Sequence, residues 1–297
     1  MAAGLGVTRR DFLVVTGTAL GASATPCWGD EAAPAKPIGG LPADIAALRR
    51  EIVDSPVRVA LHRAETFTKV FQATEDRPWI VRKALALREY FQTVPLYLRE
   101  HDGLAGSISE WPGAMPVMVE LGIGENGIYT GERPDRAGYL KGQVPDEIRD
   151  WWKNRNMWGQ FRTEIRGEPP YRSPDEVPQS LHYKFLSHQG HLSPSYGQLL
   201  RTGLAGVLEG VKARRQGESD AGRLDFLTAA EFSLSGLSDW IQRYAEFLAS
   251  EAQRCAAADR AAELREMARI AQKVASQPPD TFREALQLIW FVHQAIH

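Results

Sequence analysis

Between Thr281 and His297 the chain reads Thr-Phe-Arg-Glu-Ala-Leu-Gln-Leu-Ile-Trp-Phe-Val-His-Gln-Ala-Ile-His, and this segment most constrains what it can fold into. Pro278-Pro279 stops whatever precedes it. Thr281, with Glu284 three residues on, forms a capping box, in which each side chain satisfies a backbone N–H of the first turn. Phe282, Leu286, Ile289, Trp290, Val292 and Ile296 then spread apolar surface more widely than one core-facing stripe requires. Such a helix needs partners on most of its circumference, and no Gly, Asn or Pro terminates it. The expectation is therefore a portion of a larger protein, with Phe282, Ile289, Trp290 and Ile296 poorly covered within these 297 residues.

The composition supports a real core and narrows the partners. Hydrophobic residues make up 43% of the chain, and 35 basic residues nearly balance 37 acidic ones. That balance argues against a general binder of nucleic acid or acidic lipid. Two cysteines, Cys27 and Cys255, cannot build a disulfide framework or a cysteine-rich metal site.

Residues 1–30 read as a separate unit. Thr8-Arg9-Arg10-Asp11-Phe12-Leu13 has the form of a twin-arginine export motif, followed by a weakly apolar run and by Ala22-Ser23-Ala24, a small-residue cleavage site. The run is too short to span a bilayer. A periplasmic or otherwise exported protein is expected, cytoplasmic if the signal is not functional. Residues 31–42 read as a linker, and residues 43–297 as the folded part.

That part is expected to be mostly α. Helices are expected over Asp44–Val53, Val57–Phe71, Pro78 to a stop before Pro95, Pro145–Trp158, Ser193 to about Gln216, Leu224–Ala256 and Arg260–Ala275. In the Leu224–Ala256 segment, Phe226, Ala230, Leu234, Leu237, Ile241, Tyr244 and Leu248 recur every three or four residues. Asp102–Tyr139, dense in Gly and Pro, reads as an irregular insertion with one or two short strands, and Pro169–Pro178 as loop.

Several groups are candidates for chemistry. His182, His188 and His191 lie close together, but Gly190 and Ser193-Pro194 make the segment loop, and no carboxylate sits beside them in a ligand-like position. A loop histidine there either caps local backbone or points into a pocket toward a substrate hydroxyl or carboxylate. Trp151-Trp152-Lys153-Asn154-Arg155-Asn156-Met157-Trp158, running on to Phe161 and Arg162, either stacks on rings or buries its aromatics while the cations reach water; burial is the favoured reading. Arg82-Lys83 reads as surface or interdomain ion pairs, and Cys255, flanked by alanines, as a buried inert thiol. Phosphate loops, dinucleotide fingerprints, serine-nucleophile elbows and metal-binding cysteine pairs are absent from the sequence.

Three groups of residues, in order, resemble one family. They are Arg82-Lys83-Ala84-Leu85-Ala86-Leu87 with His101-Asp102-Gly103-Leu104-Ala105-Gly106 and Val119-Glu120-Leu121-Gly122; then Gly190-His191 to Tyr196 with Leu199-Leu200 and Gly203-Leu204; then Arg243-Tyr244-Ala245, Glu263-Leu264, Val274, Pro278-Pro279 and Thr281 to Phe291. Together they are similar to the amino-terminal region of the glycyl radical enzymes, the pyruvate formate-lyase-like family that includes glycerol and diol dehydratases. The resemblance covers roughly residues 45–297. It implies the helical wrap of a ten-stranded α/β barrel, a small-molecule substrate, an organic glycyl radical installed by an iron–sulfur activating enzyme, and a homodimer at full length. It also implies that His191 contacts a substrate hydroxyl, although Ser195 stands where many members carry an acidic residue. Neither the family's catalytic cysteine nor its glycyl loop occurs in this chain, so the missing C-terminal region is an expected partner. The chain alone is expected to be inactive. The competing reading is an exported helical binding or scaffold protein without catalysis.

Overall fold

The computed structural model describes residues 43–55, 58–107, 109, 111, 114–121, 143–153, 155–160 and 194–296. Its longest element is a 34-residue helix, Ala221–Arg254 (α7). Asp220 caps its start by accepting a hydrogen bond from the Arg223 N–H at 2.8 Å, which satisfies one of the four amides a helix leaves open. Leu237, Trp240, Ile241, Tyr244, Ala245, Leu248 and Ala252 are among its buried positions, the three-and-four spacing that puts a continuous stripe on one side.

Two helices pack along that stripe: Trp79–Thr93 (α3) and Ala258–Val274 (α8). The α3–α7 crossing is close. A Cβ on Gly236 would sit 2.9 Å from the Arg88 Cα, so the helices approach to this distance only with glycine there. Preceding α3 are Ala43–Asp54 (α1) and His62–Ala73 (α2); between the two helical arms lie the short Asp146–Trp152 (α4) and Met157–Gln160 (α5). Tyr196–Gln216 (α6) leads into α7, and Phe282–Ile296 (α9) touches α6, α7 and α8. The centre of the core is aromatic. Phe91 stacks on Trp240 at 5.4 Å between centroids, and Phe291 meets Trp240 and Tyr244 at 5.5 and 5.6 Å. Each such ring contributes on the order of 1.5–3 kcal/mol by burial, and each pair about 0.5–1.5 kcal/mol more.

The mostly helical expectation holds among the described residues, with several local differences. Val57–Phe71 is not one helix: Val59–Ala60 (β1) pairs in parallel with Met115–Pro116 (β2), and α2 begins only at His62. Val59 and Ala60 carry no helical cap signal, and β2 offers them a backbone partner. Pro78 is not the first helical residue but stands just before it, extended at ψ 142°. The Pro145–Trp158 segment breaks into α4 and α5. The second half of the Gly-rich insertion, the Pro169–Pro178 loop and residues 1–42, with the export and linker readings, lie outside the described residues.

The Ser193–Gln216 segment also departs from expectation. Ser195, whose side chain makes no cap bond, precedes the helix, and Gly203 breaks it with φ 67° and ψ 177°. The backbone of Ser276–Pro278 fills the break: a Cβ on Gly203 would lie 2.5 Å from the Ser276 carbonyl oxygen, and the Ala205 N–H donates to that oxygen at 2.9 Å. The turn between α8 and α9 is thereby fixed to α6 through backbone alone.

Candidate functional site

His191, the residue expected at a substrate, lies outside the described residues, as do His182 and His188. What the structure shows is the frame at whose edge that segment joins, beginning at Pro194 and α6. Three polar assemblies hold this frame.

The first surrounds the start of α9. The capping box is formed: the Thr281 N–H donates to Glu284 Oε2 and the Glu284 N–H to Thr281 Oγ1, both at 3.2 Å. The same carboxylate, buried at 2% exposure, also accepts from the Asp280 N–H, from Lys273 Nζ at 2.8 Å and from both terminal nitrogens of Arg269 at 3.1 Å. Lys273 pairs with Asp280 as well. Burial alone would raise the Glu284 carboxyl; the hydrogen bonds from Lys273, Asp280, Arg269 and Thr281 outweigh it and hold it down to about 2. Hydrogen bonds to Glu266 and Glu284 raise Arg269, and those to Asp280 and Glu284 raise Lys273.

The second grips the loop after α3. Gln287 brackets Ala105, accepting from its N–H at 2.9 Å and donating to its carbonyl at 2.7 Å. Trp290 Nε1 donates to the Gly106 carbonyl at 2.9 Å. The Tyr244 hydroxyl accepts from the Ser107 N–H at 2.8 Å and lies 2.9 Å from the Ser107 carbonyl; burial pushes its phenol up to about 12. Arg260 donates to the carbonyls of Arg99 and Asp102. Gly106, at φ 109°, leaves room for Phe291, whose ring would lie 2.9 Å from a Cβ. Side chains from α7, α8 and α9 thus supply the backbone pairing that this irregular loop lacks.

The third is a buried ion pair. Arg63 donates to Glu120 at 2.6 Å, with Glu120 at 0% exposure, and its guanidinium lies over the Phe67 ring at 4.3 Å. Lys83 stands beside them. Burial lowers its ammonium and Glu120 partly restores it. This pair ties α2 to the 3-10 turn Val119–Leu121 that follows β2.

Three sequence expectations meet different outcomes. Arg82 lies over the Phe71 ring and donates to the Phe71 carbonyl, and Lys83 sits at the buried pair; among the described residues neither makes an ion pair of the expected surface or interdomain kind. Cys255 is only half-buried, at the end of α7, with Sγ 3.6 Å from the Ala257 carbonyl. Burial holds for Trp152, whose Nε1 donates to Thr68 at 2.8 Å, while Trp151 is half-buried beneath Arg155. A cleft of about 700 Å³ opens at the α6–α7 hairpin beside Arg214, Glu218, Arg223 and Phe226. Its acidic groups are already engaged: Glu218 accepts from the amides of Ser219 and Asp220, and Asp220 caps α7.

The frame matches known proteins over nearly its whole length. The family model for pyruvate formate lyase-like proteins fits residues 37–297. The chain belongs to the pyruvate formate lyase-like family. This member is 27% identical over 256 residues to a probable dehydratase of Escherichia coli, YbiW, and 25% identical over 261 residues to the (2S)-3-sulfopropanediol dehydratase of Klebsiella oxytoca. These alignments take in 81% and 82% of this chain and 31% of each relative, so the chain spans about a third of the curated relatives' length. In fold it is similar to the glycerol-bound B12-independent glycerol dehydratase of Clostridium butyricum, with a TM-score of 0.69, 23% identity, and coverage of 89% of this chain and 35% of that one. A glycyl radical enzyme of Archaeoglobus fulgidus gives 0.68 at 22% identity, over 85% of this chain and 34% of that one.

Sequence reasoning missed the Gln287–Ala105 and Trp290–Gly106 bonds. A polar Gln inside an apolar helix was the available signal; its partner lies 182 residues away, and no local pattern points to it.

Proposed function

We propose that this chain is the amino-terminal portion of a glycyl radical lyase or dehydratase acting on a small acid or polyol. The observation that carries the proposal is the family match over residues 37–297, together with relatives named as dehydratases and an isethionate sulfite-lyase. The radical chemistry is supplied from outside these residues. Cys255 caps the exposed end of α7 half-buried, with alanines beside it and its sulfur turned to a backbone carbonyl, which is not the enclosed setting a thiyl radical needs. No abstraction step is therefore assigned to this chain. Its role is to form the helical frame and, through His191, to contact a substrate hydroxyl. An iron–sulfur activating enzyme and a second subunit are the partners of the complete protein. Twin-arginine export through Arg9-Arg10 belongs to the same reading.

The test is to sequence the gene past codon 297 and to express the complete reading frame without oxygen beside its activating enzyme. A glycyl radical seen by electron paramagnetic resonance, with none from the 297-residue chain, is the expected result. A stop codon at position 298 sinks the proposal. In the complete protein, His191→Ala is expected to raise KM for a hydroxyl-bearing substrate while the radical signal stays unchanged. Arg9→Lys with Arg10→Lys is expected to keep a fused reporter in the cytoplasm.

A further inference from the structure

The Arg63–Glu120 contact uses only part of what its two side chains offer. Arg63 Nη2 donates to Glu120 Oε1 at 2.6 Å, while Arg63 Nε and Glu120 Oε2 are both fully buried and reach no hydrogen-bonding partner within the chain. The other buried side-chain atoms left open among the described residues, Nε of Arg82 and Arg99 and Nε1 of Trp240, are all donors. A donor and an acceptor stand open together only at this contact. Each sits on a rigid planar group whose other end is already bonded, so the two cannot swing apart. Buried polar atoms of this kind are paired in nearly all native proteins, with protein or with a bound molecule.

The surroundings decide which molecule fits. The Phe67 ring covers the guanidinium at 4.3 Å and the Tyr90 ring lies at 5.8 Å, so a partner reaches Nε–H only in the guanidinium plane. The Val119–Leu121 turn that carries Glu120 is packed by α2, α4 and α5, which encloses the contact. Lys83 of α3 stands beside the pair and makes no hydrogen bond or ion pair among the described residues. Two cations beside one carboxylate disfavour a metal ion. An anion accepting from Arg63 Nε would face the open lone pairs of Glu120 Oε2. A small neutral molecule that both accepts and donates meets neither objection.

We infer that this edge of the pair is a closed hydration site, in which one water accepts from Arg63 Nε–H and donates to Glu120 Oε2. A buried water makes about three hydrogen bonds to groups that otherwise lack a partner, and the Lys83 ammonium has the donor for the third. The Val119–Leu121 turn is thereby tied to α2 and α3 through solvent as well as through the direct Arg63–Glu120 bond.

Water-selective proton NMR of the 297-residue chain, with the Arg63 Nε–H assigned in a ¹⁵N-edited spectrum, tests this. A rotating-frame cross-relaxation peak between that proton and water is expected, opposite in sign to the peak of a proton that exchanges chemically with solvent. The Nε–H of Arg223, whose side chain is 76% exposed, is the control and is expected to show the exchange sign alone. A crystal of the same chain soaked in sodium bromide is expected to hold a density peak within about 3 Å of both atoms, without the anomalous scattering of bromine. Absence of the cross-relaxation peak overturns the inference, and so does a crystal in which Arg63 Nε donates directly to Glu120 Oε2. A bromine signal at the position overturns it in favour of an anion site.

Discussion

The two sides of α9 are similar in apolar character and opposite in consequence. The inner side carries Leu288, Phe291 and Val292 and is enclosed by α6, α7 and α8; the outer carries Phe282, Leu286, Ile289 and Ile296 and is open. What separates them is the polar residues interleaved with the inner side. Glu284 and Gln287 are both 2% exposed, and each is fully engaged in hydrogen bonds. A buried polar group is tolerated only when it is paired, so these two residues set which side of the helix faces in.

Mutations can break this contrast, and the largest effect is expected at the aromatic centre. Phe291→Ala removes a ring at 0% exposure that touches Trp240 and Tyr244, and should destabilise the 297-residue chain by about 3–5 kcal/mol in urea unfolding followed by circular dichroism. Next is Gln287→Ala, which orphans the buried amide and carbonyl of Ala105. A loss of about 2–4 kcal/mol is expected, with amide hydrogen exchange at Ala105 rising first. If Gln287→Ala is neutral, the polar residues do not orient the helix and the contrast fails.

A smaller effect comes from acid. The Glu284 carboxyl sits at about 2 when folded, below its ordinary 4.5. Its contribution is therefore present above pH 4.5 and fades as pH falls toward 2. Glu284→Gln is expected to flatten that part of the stability–pH curve, measured by urea midpoints between pH 2 and 6. The smallest effect belongs to the outer side: Leu286→Ser should shift stability by less than about 0.5 kcal/mol in the 297-residue chain. A loss comparable to that of Phe291→Ala would mean that the outer stripe is already covered.

Much of the architecture was legible in local pattern. The capping box at Thr281 and Glu284 and the Leu237–Leu248 stripe of α7 formed as their spacing requires, because both are decided within a few turns of helix. The exposed stripe was read in part: Phe282 and Ile296 are open, but Ile289 is half-buried, and Trp290 leaves the stripe to bond Gly106. The parallel pairing of Val59–Ala60 with Met115–Pro116 and the break at Gly203 were not legible, since each depends on backbone brought from 55 or more residues away. Of the candidate site, His191 was named by resemblance and not by geometry.

By itself, then, the sequence determined where helices start, which of their sides are apolar and which family the pattern resembles, because caps and periodicity act over a few residues. Only the tertiary structure decided which apolar side of α9 is buried. That choice rests on where Glu284 finds Arg269 and Lys273, and where Gln287 finds Ala105. Two sides of similar hydrophobicity are not distinguished by their apolar pattern; Glu284 and Gln287 mark one of them for burial only because the rest of the chain brings hydrogen-bonding partners to that side.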